Sequence, residues 1–196
     1  MTGISGIILA AGESRRMGQP KALLHWNGRT FLESVAMMLT NGGVDGLIAV
    51  LGDAPAAVIH EVEKIGARRV DNPEWNTGQF SSLKAAISSL APETLAAVVA
   101  LVDQPHVPAE VVSSLISEFE ASRAPIVRPV WNGRGGHPLL FSREVFATIR
   151  SLPDSATAFD VVSAFRDRRR DVAAPDGSIL DDIDTPEDFT RLTGEG

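Results

Sequence analysis

The chain has 196 residues, 44% hydrophobic and 22% charged, a size and makeup that predict one globular domain over residues 1–196 with a real buried core. Its formal net charge of −7 argues against nucleic acid or an anionic membrane as the main partner, since both need an excess of Lys and Arg on one face. With no cysteine there is neither a disulfide framework nor a thiolate-held metal, and the longest apolar run, residues 95–102, is far short of the roughly 20 residues that span a bilayer. The start of the chain carries no basic leader, so the expectation is a soluble, cytoplasmic protein.

Short apolar runs alternate with amphipathic stretches along the chain. Residues 4–10 predict a strand. Phe31, Leu32, Val35, Ala36 and Leu39 then repeat at helical spacing, with Asn41, Gly42 and Gly43 as a stop signal. Residues 47–51 predict a second strand, 81–90 a helix ending before Ala91-Pro92, and 96–102 a third strand. Val111, Val112, Leu115, Ile116 and Phe119 mark a helix after Pro108, and residues 126–130 and 138–141 predict later strands around the loop WNGRGGH. The first three strands are rich in Val and Ile, as strands buried on both faces of a parallel sheet should be. The alternation predicts an α/β fold, a Rossmann-like three-layer sandwich with a mostly parallel sheet.

Such sheets bind ligands beyond the carboxyl ends of their strands, which singles out four loops. The first is IILAAGESRRMGQPK at 7–21, where Gly12 lets backbone approach a ligand closely and Arg16 and Lys21 can surround phosphates. Two familiar phosphate loops are excluded. A Walker A loop has four residues between its glycines, whereas five separate Gly12 from Gly18, and the dinucleotide pattern G-x-G-x-x-G is absent. A surface loop with solvated arginines is the alternative. In the second loop, Asp103 follows an apolar strand and suits a hard cation such as Mg²⁺, or equally a turn before Pro105.

The third loop is LDDIDTPED at 180–188. Asp182 and Asp184 alternate with Ile183, so an extended segment points both carboxylates to one side, while Thr185, Pro186 and Asp188 make a helix start with a capping box. A carboxylate meeting Asp103 over a metal accounts for Asp184 and Asp182 better than helix capping does. The fourth loop, residues 72–83, has Gly78 and hydroxyls that suit a base edge, or a simple turn with an aromatic plug.

Taken together these residues resemble the molybdenum cofactor nucleotidyltransferases, within the wider group of NTP transferases of the nucleotide-diphospho-sugar transferase type. The resemblance is carried by Leu9-Ala10-Ala11-Gly12, Arg16-Met17-Gly18 and Pro20-Lys21; by Asn72-Pro73, Trp75, Gly78 and Ser82-Leu83; by Asp103-Gln104-Pro105; by Gly136-His137-Pro138-Leu139-Leu140-Phe141; and by Asp182 to Asp188. It implies an NTP, Mg²⁺ and a phosphorylated pterin acceptor, with release of pyrophosphate. Position by position it implies that Ala10, Ala11 and Gly12 contact base and ribose through backbone atoms, that Ser14 belongs to the nucleotide-binding set, that Gly78 and Ser82 complete the base pocket, and that Arg16 and Lys21 bind the triphosphate. Asp103 and Asp184 would hold the metal, with Arg16, Lys21 and Asp103 acting in catalysis and His137 lying on the acceptor side.

No general base is required, because a phosphate nucleophile with a second pKa of about 6 is already ionised near neutral pH. His25, His60 and His106 lack ligand spacing. Two departures from the family pattern, Val102 before the metal aspartate and Ala85 or Ala86 in place of a helix glycine, narrow the pocket without removing charge. The Ala10-Ala11-Gly12 form with Gly136-His137-Pro138 resembles the cytidylyl branch and favours CTP. The alternatives are GTP on the same acceptor, a sugar or polyol phosphate acceptor, and a non-catalytic nucleotide-binding protein that serves a molybdenum enzyme. The run Arg166-Asp167-Arg168-Arg169-Arg170-Asp171 predicts a solvated helix end or a partner-protein contact rather than a nucleic-acid patch.

Overall fold

A computed structural model describes residues 3–12, 14 and 17–194. In chain order the elements are β1 (Ile4–Leu9), β2 (His25–Trp26), β3 (Arg29–Thr30), α1 (Phe31–Asn41), β4 (Gly46–Leu51), α2 (Ala56–Lys64), β5 (Arg68–Asp71), α3 (Gln79–Ser88), β6 (Ala96–Leu101) and α4 (Ala109–Ser122). They continue with β7 (Ile126–Trp131), β8 (Arg134–Gly135), β9 (Leu139–Ser142), α5 (Arg143–Ser151), α6 (Ala158–Ala164), β10 (Arg170–Ala173) and α7 (Pro186–Thr193). Short 3₁₀ turns cover Lys21–Leu23, Trp75–Thr77 and Gly177–Leu180.

The main sheet has the order β10-β7-β9-β6-β1-β4-β5, with β8 paired to β7 and β2-β3 forming a separate hairpin. β1 runs parallel to β4 and β6, β4 to β5, and β10 to β7, whereas β9 is antiparallel to both β6 and β7. The α/β expectation therefore holds. The chain winds outward from β1 through β4 to β5 and then returns to add β6 on the other side. This reversal opens a crevice at the carboxyl ends of β1 and β6. Because β9 is antiparallel, its amino end reaches the same edge and brings His137 there.

Side chains alternate across each strand, so one sheet feeds two hydrophobic layers. Ile4 and Ile8 of β1 pack with α1, α2 and α4 through Phe31, Leu39, Val58 and Leu115. Ile7 and Leu9 face the opposite way and pack with α3, α5 and α6 through Leu83, Ile149 and Val161. All six residues of β6 are buried, which is why the strand reads as an unbroken apolar run. Each large aliphatic side chain buried in these layers contributes about 1.5–3 kcal/mol.

The five strands read from apolar runs, β1, β4, β6, β7 and β9, match those runs within a residue at either end, whereas β2, β3, β5, β8 and β10 correspond to none of them. The helix predicted over 81–90 is displaced: it runs from Gln79 to Ser88, because Gly78 (φ 133°) ends the preceding turn and starts the helix earlier. The basic run at 166–171 also differs from the helix-end reading. α6 stops at Ala164, and Arg170 and Asp171 enter edge strand β10. Arg168 pairs with Glu144, and Asp171 with Arg128 and Arg169, so the charges are matched within the chain and blunt an exposed sheet edge.

Candidate functional site

At the carboxyl ends of β1, β4 and β6 lies a cleft of about 460 Å³. Its floor is the backbone of Ala10, Ala11 and Gly12, one wall is the turn 52–55 after β4, and the other carries Lys21, Asp103 and Asp184. Ladder hydrogen bonds fix the floor as far as the loop: Ala10 N donates to Val50 O at 3.0 Å and Val102 N to Leu9 O at 3.2 Å. Among the described residues, no heavy atom lies within 4 Å of the place a Cβ on Gly12 would take. Packing against the described residues does not require a glycine there, and Gly12 lines the cleft. Ser14 turns the loop back, accepting a hydrogen bond from Lys21 N at 2.9 Å on its Oγ.

Lys21 is the centre of the charged wall. Its ammonium donates to Asp103 Oδ2 at 2.9 Å and to Asp184 Oδ1, joining two carboxylates far apart in sequence. Burial opposes the ammonium form, but the charge of Asp103 and the hydrogen bonds to both aspartates outweigh it and hold the Lys21 pKa above the ordinary lysine value. Asp103 Oδ1 is buried and has no hydrogen-bond partner among the described residues. A free carboxylate oxygen beside a second carboxylate fits a hard divalent cation, which takes one or two carboxylates and completes its shell with water and phosphate oxygens. Among the described residues there is no cluster of three or more such donors.

Backbone contacts register this pair. Ile183 N donates to Asp103 O at 3.0 Å, and Gln104, itself buried, donates through Nε2 to Asp182 Oδ1 at 2.9 Å. Burial lifts the Asp182 carboxyl above its ordinary range, and the charge of Asp103 adds to this against the Gln104 hydrogen bond. The two aspartates of the third loop thus have different partners: Asp184 meets Lys21, Asp182 meets Gln104. α7 follows with the capping box read from sequence, Thr185 Oγ1 accepting from Asp188 N and Asp188 reaching back to Thr185 N.

A second cavity of about 240 Å³ adjoins the cleft, with Leu9 and Gln79 lining both. It is walled by Gly78, Phe80, Leu83, Leu139 and Phe141, closed by residues 154–158, and it contains His137. Lys84 tethers the closing loop through Leu152 O at 3.0 Å and Asp154 Oδ1 at 2.6 Å. Burial pushes the His137 imidazole below its usual value of 6.5, so it is held neutral near pH 7 despite the charge of Asp103. His137 N donates to Ile179 O at 3.0 Å, and a Cβ on Gly136 would lie 2.0 Å from that same carbonyl. The glycine is therefore demanded by backbone packed against backbone.

The structure brings Ala10, Ala11, Gly12, Ser14, Lys21, Asp103 and Asp184 to one cleft and puts Gly78 and His137 in the adjoining cavity. Arg16 lies outside the described residues. Ser82 lines neither cavity: it is buried, and its Oγ accepts from Asn72 Nδ2 at 3.0 Å, bracing the loop that presents Gly78. Sequence reasoning missed Gln79, shared by the two cavities, and Ile179, whose carbonyl anchors the His137 loop. Neither has a compositional signature, although Gln79 follows directly on Gly78.

Comparison with known proteins agrees with this geometry. Residues 6–172 match the family model of the MobA-like NTP transferase domain. The nicotine blue oxidoreductase of Paenarthrobacter nicotinovorans is 30% identical over 96% of both chains, and the molybdenum cofactor cytidylyltransferase of Escherichia coli K12 is 27% identical over 96% of this chain and 95% of that one. The manganese complex of Rv0371C from Mycobacterium tuberculosis H37Rv superposes with a TM-score of 0.82 at 30% identity, covering 98% of this chain and 99% of that one. With this fold, a cleft at the strand ends and a carboxylate pair beside a lysine, the chain belongs to the MobA-like NTP transferase family of nucleotidyltransferases.

Proposed function

We propose that this protein transfers CMP from CTP to the phosphate of a molybdopterin-type pterin and releases pyrophosphate, with Mg²⁺ as the metal. The observation that carries the reading is the Asp103–Lys21–Asp184 constellation at the mouth of the cleft. Nucleotidyl transfer asks a protein mainly to position reactants and neutralise developing charge, and this wall has the groups for both tasks. Asp103 and Asp184 hold the metal, which when bound supplies positive charge to the triphosphate. The backbone of Ala10, Ala11 and Gly12, with Ser14, holds the nucleoside, and Arg16 and Lys21 bind phosphates. Gly78, braced by Ser82, borders the base, and His137 as a neutral imidazole faces the acceptor. The acceptor phosphate attacks the α-phosphorus as an anion, so no side chain has to remove a proton.

The reading includes a single catalytic domain over residues 1–196, acting in the cytoplasm and delivering its product to a molybdenum enzyme. The experiment is pyrophosphate release from each of CTP, GTP, ATP and UTP with Mg²⁺ and the pterin acceptor. Release with CTP preferred supports the reading; release with GTP preferred moves it to the guanylyl reaction. Nucleotide binding without release makes the protein an accessory factor.

A second reading is favoured by the full-length likeness to nicotine blue oxidoreductase: the same cleft serves a redox reaction. Protein-dependent oxidation or reduction of nicotine blue, with no pyrophosphate formed, would favour it over transfer.

A further inference from the structure

Two acidic side chains of the cleft, Asp103 and Asp184, are already bridged by a cation, and that cation belongs to the protein. Lys21 Nζ lies within hydrogen-bond reach of Asp103 Oδ2 and Asp184 Oδ1 together. Its side chain is nearly buried, at 12% exposure, between carboxylates of 19% and 44%. Two unit negative charges face one positive charge, so the trio keeps a net negative charge and still attracts a divalent ion. A divalent ion shared by the same two carboxylates would however be pressed against the ammonium, and like charges a few ångströms apart in a partly buried site repel strongly. Both cannot occupy the bridge.

The backbone at Lys21 is fixed while its side chain is free to leave. Lys21 N is bound to Ser14 Oγ, and the turn Lys21–Leu23 is pinned by buried Ala22. The four-carbon stem has enough rotatable bonds to carry the ammonium into the cleft without moving this anchor. Withdrawing it into water would strand two adjacent carboxylates. Withdrawing it onto a polyanion while a divalent ion takes its place leaves every charge paired.

We infer that Lys21 is an internal counter-ion that holds the metal position until a triphosphate draws it away, so that metal and triphosphate bind as a coupled pair and each alone binds weakly. This rests on the metal assignment proposed above and adds an order to it: the lysine is exchanged, carboxylates for phosphates, in the same step that admits the metal. Thermodynamic reciprocity requires the coupling to be mutual, the metal strengthening triphosphate binding by the factor by which the triphosphate strengthens metal binding.

The test uses Mn²⁺ alone, followed by the loss of its free electron-paramagnetic-resonance signal, with no nucleotide and no turnover. Lys21→Met should bind Mn²⁺ on the order of tenfold more tightly than the parent protein, in keeping with typical coupling strengths. Adding Asp103→Asn to that variant should abolish the gain. Equal Mn²⁺ affinity in Lys21→Met and parent, with binding in both removed by Asp103→Asn, overturns the counter-ion role and leaves the metal site standing. Binding that is indifferent to Asp103→Asn in every background overturns the metal assignment and this inference with it. Should Lys21→Met not fold, Lys21→Gln repeats the comparison. In the unsubstituted protein the ε-methylene resonance of Lys21 should move when Mg²⁺ and inorganic tripolyphosphate are added together and much less with Mg²⁺ alone; an equal shift with Mg²⁺ alone also overturns the exchange.

Discussion

Ile183 donates its backbone N–H to the Asp103 carbonyl at 3.0 Å, stitching the acidic loop after β6 to the one before α7. The stitch sets the register of both neighbours of Ile183. Asp184 is turned to Lys21, and Asp182 to Gln104. A simple alternation argument puts the two carboxylates on one side, and the partners they find there separate their roles.

Asp182→Asn should therefore change turnover little. The amide oxygen still accepts from Gln104, and burial already favours the uncharged form of this side chain. Asp184→Asn should lower pyrophosphate release by on the order of 10²–10³-fold, the usual cost of removing one group that stabilises transition-state charge. The reverse ranking in a steady-state assay would move the metal to Asp182.

Asp103→Asn should fold like the parent protein and lose turnover to a similar degree, because one cation-holding oxygen disappears while the shape of the side chain remains. Lys21 keeps Asp184 as a partner, so no buried charge is orphaned. A circular-dichroism melt close to that of the parent, beside a collapsed rate of pyrophosphate release, is the expected pair of results. Unchanged turnover removes Asp103 from the site.

Two glycines should respond in opposite ways to alanine. At Gly136 the new Cβ would meet the Ile179 carbonyl at 2.0 Å, and neither backbone can give way easily. Gly136→Ala should lower stability by about 1–3 kcal/mol or more, read from the urea midpoint. At Gly12 the Cβ meets none of the described residues, so stability should stay within about 0.5 kcal/mol of the parent while the thermal shift produced by CTP and Mg²⁺ shrinks.

The central strands were legible because burial on both faces leaves a mark on sequence: all of β6 is apolar and all of it is buried. Edge strands β5 and β10 were not, since Arg68, Arg69 and Asp71, like Arg170 and Asp171, are charges that an exposed edge tolerates and a period-two search rejects. Helix α2 escaped for a milder reason, three buried positions in nine residues giving a short pattern. In the site, Asp103 and Asp184 could be read as a pair because each has a distinctive local setting, an apolar strand before one and a helix cap after the other. The link through Lys21 could not be read, nor could the Ile179 carbonyl that anchors both Gln104 and the His137 loop, since a backbone acceptor carries no residue signature.

Acid should weaken the fold first through its histidines. Burial depresses the pKa of both His106 and His137 below 6.5, against the pull of Asp181, Asp176 and Asp103 at His106 and of Asp103 at His137. Well above 6.5 the two groups are neutral in folded and unfolded chains alike and contribute nothing to the pH dependence. As pH falls through 6.5 the unfolded chain takes up protons that the folded chain refuses, so stability declines until the folded values are passed. Carboxylates held low by partners, such as Asp171 beside Arg128, lose their contribution only at more acidic pH, below their ordinary range. Urea unfolding at about pH 7.5, 6.5 and 5.5 should show stability falling slightly over the first step and more steeply over the second. His137→Gln keeps a polar group in the cavity without a titrating ring, and its profile should fall less steeply over that second step than the parent's. Parallel profiles would mean that His137 takes its proton as readily in the folded protein as in the unfolded chain, and its place as a neutral imidazole facing the acceptor would have to be given up.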